Sequence, residues 1–176
     1  TRDATLEQQY SFDHGTAQSV LKLQDNRFLI VGYDNNNISI SRHLANGALD
    51  YSFGQSGRTL IPVLEGDDKG YRAALQQDGK ILIVGSAYVG SEAQNDIAVA
   101  RLSYDGTPDT NFFTGYSDAT ATFAIENNTD DHGYAILHLP DGKILVAGNT
   151  ENGIALARLQ GDTNYTNTFF PTLNPI

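Results

Sequence analysis

The chain has 176 residues, 11 of them basic and 21 acidic, for a formal net charge of −10. That charge opposes contact with nucleic acid and with anionic membranes, and no apolar stretch approaches the ~20 residues of a bilayer-spanning helix. The absence of cysteine excludes disulfides, thiolate metal sites and cysteine nucleophiles, and the absence of methionine makes a chain opening on Thr1 read as processed or cut from something longer.

In chain order, residues 1–12 end on Phe12 and read as the remnant of a preceding repeat unit. The first full unit, about 13–56, carries a turn at Asp25-Asn26, the apolar run Phe28 to Gly32, a strand from Ile38 to His43 in which serines alternate with isoleucines, and Asn46-Gly47 leading to Phe53. The second unit, about 57–115, places a strand at Thr59 to Leu64 and another at Ala73 to Gln76. Its turn Asp78-Gly79 then leads into the run Ile81 to Val84. Ile97, Val99 and Arg101 follow on one face of an alternating strand, with Ala98, Ala100 and Leu102 on the other, and Asp105-Gly106 leads to Phe112. The third unit, about 116–176, repeats the order with Thr120 to Ile125, Ala135 to Leu139, Asp141-Gly142, Ile144 to Ala147, Ile154 to Leu159 and Phe169.

Asp-Gly between apolar runs is a strong hairpin signal, and the spacing predicts type I′ turns at Asp78-Gly79 and Asp141-Gly142. Four short antiparallel strands per unit of about 55 to 60 residues, with no amphipathic helix, read as propeller blades. A β-solenoid and a two-sheet sandwich are the competing architectures. The expected fold is therefore all-β and β-propeller-like, a single repeat domain over 1–176 with three four-stranded antiparallel blades. The first blade should be incomplete, since only Asp13 to Gly15 separates Phe12 from its hairpin. Three blades are too few for a ring, which needs about four to eight. The open blade faces, expected to carry Ile38, Ile40, Ala155 and Leu156, would be covered by other copies or other chains, with two copies giving six blades.

The pattern Gln77 to Gly85, Ala98 to Leu102 and Asp105 to Phe112 resembles the delta-60 repeat family, and the resemblance extends from about Thr16 to Phe170. It implies propeller-like blades in a large secreted or surface-exposed bacterial protein, and since the family has no agreed catalytic residues, none is carried over. The third unit departs from the pattern at Gly161-Asp162-Thr163-Asn164.

Arg42, Arg101 and Arg158 recur at the end of the same strand. Repetition in every unit favours guanidinium groups held by acidic turn residues, Asp50 and Asp109, over an anion-binding ring. Phe53, Phe112 and Phe169 are expected to plug the gaps between blades. The acidic loops containing Glu65, Asp67, Asp68 and Glu126, Asp130, Asp131 occupy matching places and form a candidate Ca²⁺ site, with a solvated loop as the bland alternative. Lys69 stands where Asp131-His132-Gly133 has its histidine, which favours a polar turn over a shared metal ligand. No nucleophile elbow, P-loop or dinucleotide fingerprint occurs. The expected function is a non-catalytic structural or binding module of an extracellular or cell-surface bacterial protein, acting through protein or glycan contacts. The alternative is a polysaccharide hydrolase using paired carboxylates.

Overall fold

The computed structural model describes residues 15–90, 94–112, 119–127 and 129–161. Phe12, Phe169 and the chain beyond residue 161 lie outside them. Eleven strands form three antiparallel sheets, each a simple meander. The first sheet contains β1 (Thr16–Lys22), β2 (Phe28–Asp34), β3 (Asn37–His43) and β4 (Arg58–Ile61). The second contains β5 (Lys69–Leu75), β6 (Ile81–Tyr88), β7 (Asn95–Leu102) and β8 (Thr120–Phe123). The third contains β9 (His132–His138), β10 (Ile144–Thr150) and β11 (Gly153–Leu159). Among the described residues there is no helix, and so none long and apolar enough to cross a membrane.

The sheets stack in series as propeller-like blades and do not close into a ring. β5 packs against β1, β2 and β3, and β9 against β5, β6 and β7. The first strands of successive sheets therefore meet on the inner side of a fan, with β4 and β8 on its outer rim. The first sheet is complete, contrary to expectation. The strand assigned to the head of the second unit is β4, and it is hydrogen-bonded to β3, with Ile40 opposite Thr59 and Ile38 opposite Ile61. β8 closes the second sheet on β7 in the same way. It is the third sheet that has three strands among the described residues.

The turns at Asp78-Gly79 and Asp141-Gly142 also differ from the expected type I′. The amide of Gly79 donates to Gln76 O at 3.0 Å, so Gln77 and Asp78 are the central residues, and only Gly79 has positive φ, +87°. This is a type I turn followed by a left-handed residue, the three-residue hairpin loop. Asn26 and Gly142 close the same turn, and Gly47 and Gly106 close it in the excursions after β3 and β7. Each aspartate clasps its own loop: Asp78 Oδ1 accepts the Lys80 amide at 3.1 Å and Asp141 Oδ1 that of Lys143 at 3.2 Å.

The core consists of the two gaps between sheets. Leu29, Val31, Ile38, Ile40 and Phe53 meet Ile81, Ile83, Ala98 and Ala100 in the first gap. Leu82, Val84, Ile97, Val99 and Phe112 meet Ile144, Val146, Ala155 and Ala157 in the second. β6 is apolar on both faces because each face lines a different gap. Ile38, Ile40 and Ala155 are thus buried between sheets and do not line an open face; the strand alternation puts them on the inward side. Of that set only Leu156 faces outward, 56% exposed.

The inner strand of every sheet carries a β-bulge, at Gln18, Tyr71 and Tyr134. Opposite it stand Gly32, Gly85 and Gly148, where a Cβ would lie 1.7 Å from the carbonyl oxygen of Thr16, Lys69 or His132. That contact explains the glycine ending each apolar run. We expect Gly85→Ala to cost about 3 kcal/mol or more, because the bulge must be rebuilt. Gly79→Val, which meets only ordinary contact with Tyr104, should cost about 1 kcal/mol through its positive φ. Urea titration of both variants checks the order, and equal losses would refute the bulge argument.

Candidate functional site

Two groups of side chains recur from sheet to sheet. The first is buried. Arg42 Nε donates to Asp50 Oδ2 at 2.7 Å, and its guanidinium lies 4.8 Å over the Phe53 ring. Arg101 repeats this with Asp109 Oδ2 at 2.8 Å and the Phe112 ring at 4.4 Å. Arg42 and Arg101, Asp50 and Asp109, and both phenylalanines are buried. The local cause is the excursion after β3 or β7, whose turn brings the acid back beneath the arginine of the same strand: the Asp50 amide donates to Arg42 O at 2.8 Å and that of Asp109 to Arg101 O at 3.0 Å.

A second cation joins each lock. Arg27 Nη1 reaches Asp50 Oδ2 at 2.9 Å, and Lys80 Nζ reaches Asp109 Oδ2 at 3.3 Å. The lysine of Asp-Gly-Lys therefore has a partner that sequence reasoning missed. The signal was a basic residue at 27, 80 and 143. The third copy is looser: Arg158, 52% exposed, bonds Asp141. The first lock also ties sheets together, since Arg42 Nη1 donates to Tyr104 O at 2.6 Å and Thr59 Oγ1 to Gly106 O at 2.7 Å.

The acidic loops are engaged with their own backbone. Buried Asp68 Oδ2 accepts the amides of Val63 and Leu64 at 2.8 and 3.1 Å. Buried Asp131 Oδ2 accepts those of Ile125 and Glu126 at 2.5 and 3.2 Å, and its Oδ1 accepts Thr129 Oγ1 at 3.0 Å. Asp67 pairs with Lys69, Asp130 Oδ1 accepts the Asn95 amide at 2.8 Å, and Glu126 Oε2 accepts Asn152 Nδ2 at 2.8 Å. Each loop is the crossing from an outer strand to the next inner strand. Among the described residues no three histidine or acidic side chains gather as metal ligands would.

The second recurring group is at the inner edge. The bulges project Tyr71 from β5 and Tyr134 from β9, with ring centroids 5.1 Å apart, and His132 stacks on Tyr134 at 5.9 Å. Tyr71 and Ser86 hydroxyls share a hydrogen bond of 3.1 Å. Alongside, the Lys69 ammonium sits 5.6 Å over Tyr33. Tyr134 is 46% exposed, and burial, then Tyr71, raise its hydroxyl pKa, so it remains a neutral donor. The sequence signal was a tyrosine at matching places in two units, which has no explanation until the bulge re-aims it.

Ionisation in these groups pulls in two directions. At Asp50, burial favours the neutral acid, but hydrogen bonds from Ser52, Arg27 and Arg42 outweigh it and hold the carboxyl well below its usual range. Asp109 is lowered too, with burial again opposed by the Asn111 amide, Arg101 and Lys80. Asp68 is raised, because burial outweighs its amide donors, and Asp96 is raised by burial and by Asp131.

A family profile described as "Domain of unknown function (DUF5122) beta-propeller" matches residues 76–112 and 139–162. These segments run from the Asp-Gly-Lys turns through the arginine strands. A solved structure of a hypothetical protein from Leishmania major shares the fold, with a TM-score of 0.51 and 14% identity, over 86% of this chain and 53% of its own. The chain thus spans about half the length of that structure. No curated protein matches the sequence.

Asp109→Ala removes the buried carboxylate that Arg101 and Lys80 share and should cost about 3–5 kcal/mol, whereas Arg158→Ala at the exposed copy should cost under about 1 kcal/mol. Chemical denaturation compares them, and similar losses would refute the lock. The pH dependence follows from linkage. The lowered acids, Asp50 and Asp109, contribute stability above the unfolded carboxylate range of about 4, and this is lost as pH falls through their folded values. The raised acids, Asp68 and Asp96, bind protons more readily in the folded state, so mild acidification from neutrality adds stability. The melting temperature should rise below pH 7 and then fall below about pH 4; Asp68→Asn should reduce the rise, leaving the part due to Asp96, and should not alter the fall. A steady fall from neutrality in the unmodified chain would contradict this assignment.

Proposed function

We propose that the chain is a non-catalytic binding module of an extracellular or cell-surface bacterial protein, and that its inner-edge aromatic group contacts glycan. One observation carries the reading. Two tyrosines and a histidine from adjacent sheets cluster with ring centroids 5.1 to 6.3 Å apart, and Tyr134 is open to solvent. Aromatic rings with polar tips suit a ligand that is apolar on one face and hydroxylated at its edges, as a pyranose is. The buried carboxylates that a hydrolase would need are bonded to backbone amides and arginines instead. The resemblance to delta-60 repeats supports the surface location.

A glycan array followed by calorimetry tests this. Tyr134→Ala should weaken the best glycan at least tenfold while leaving the melting temperature within a few degrees. Unchanged affinity in that variant would overturn the aromatic assignment. Release of reducing sugar from a polysaccharide would replace the binding module with the hydrolase.

A further inference from the structure

The two gaps between sheets are built alike. In the first, Ile38 and Val31 press on Gly70, where a Cβ would lie 2.9 and 3.0 Å from their Cγ atoms. In the second, Ile97 and Val84 press on Gly133, at 2.9 and 2.4 Å. Register fixes the equivalences. Ile38, Ile97 and Ile154 each follow the alignment of the glycine at 32, 85 or 148 with Ser39, Ala98 or Ala155. Each sheet thus has a knob face, bearing the isoleucine, and a hole face, bearing the inner-strand small residue and two small residues of its third strand.

At the two ends of the stack no other described strand covers these faces. On the third sheet Ile154 is 85% exposed, beside Leu156 and Leu137. On the first sheet the hole is a hollow of about 150 Å³ lined by Ala17, Ile30, Gly32, Ser39 and Ser41, among others. Ser39 and Ser41 replace Ala98 and Ala100 with residues of nearly the same size, and Ser41 Oγ is already bonded to His43 Nε2 at 3.0 Å.

The ends also differ from the internal gaps in a matched way. Ala17 occupies the place of Gly70 and Gly133, one methyl larger. Ala147 occupies the place of Val31 and Val84, two methyls smaller. Inside the chain the facing pair is glycine with valine; between the ends it would be alanine with alanine. A bulkier hole faces a smaller knob, which close packing across the gap requires.

We propose that two copies of this chain join head to tail, the knob face of each third sheet seated in the hollow of the partner's first sheet, with Ile154 in the hole and Ala147 against Ala17. Two copies of the three described sheets make six, a number at which a propeller closes, and closure covers both end faces, as exposed apolar side chains such as Ile154 favour.

The natural absence of cysteine makes the test direct. Under oxidation, the Ala17→Cys, Ala147→Cys double variant should form a covalent dimer, and mixing the two single variants should form a heterodimer. Light scattering should show the unmodified chain at twice the mass of one copy, and Ile154→Asp should be a monomer with an unchanged circular dichroism spectrum. A monomeric unmodified chain, absence of the cross-link, or a dimer surviving Ile154→Asp would overturn the contact. A cross-linked ladder longer than two would overturn closure at two copies.

Discussion

The structure depends on sheets approaching so closely that the inner strand has no room for a side chain. Gly70 and Gly133 lie directly under branched side chains of the preceding sheet. The rest follows from that spacing. The third strand must show alanine on the side that receives a neighbour and isoleucine or valine on the side that fills one. The central strand must be apolar on both faces. The phenylalanine of each excursion can then seal the outer part of the gap, where the sheets diverge, and a buried arginine is tolerable there because the ring and a carboxylate replace its water.

Charge is handled by the same geometry. Burying Arg42 and Arg101 would be prohibitive alone, and two charges facing each other recover only part of the hydration they lose. At Arg42 the excursions bring Asp50, the hydroxyl of Ser52 and the carbonyl of Tyr104 to the guanidinium together, and at Arg101 Asp109 is joined by Gln76. In the third sheet, the last of the described residues, Arg158 lies open and bonds the turn aspartate Asp141 instead. The third unit also lacks the acid of the motif: Asp50 and Asp109 stand eight residues after Arg42 and Arg101, but Thr166 stands eight after Arg158.

Much of this was legible in the sequence, because the repeat and the period-2 alternation are local signals. The run Ile81 to Val84, the two-faced strand Ile97 to Leu102 and the arginine–aspartate pairing could be read directly. Allocation of the outer strand could not. Arg58–Ile61 lies seven residues before β5 and fourteen after β3, yet it pairs with β3; proximity in sequence pointed the wrong way. Which face of a strand lies open is not a local property: Ile38 and Ile40 are covered by the second sheet, and only the stacking order of the sheets decides that. Tyr71 and Tyr134 went unnoticed because a bulge leaves no periodic trace.

Every hydrogen-bonded strand pair joins sequence neighbours, and this shapes how the molecule comes together and opens. The hairpins can close over short loops of two to six residues without waiting for distant chain, so the ladder entropy is met early and locally. What remains is docking of preformed meanders through their side-chain faces. The outer strands are the exception: β4 and β8 are four residues long and return after the longest excursions. Amide exchange should therefore be fastest along the rim and slowest at β6, which is enclosed on both faces. The fan loosens from its circumference while its central strand keeps its protons.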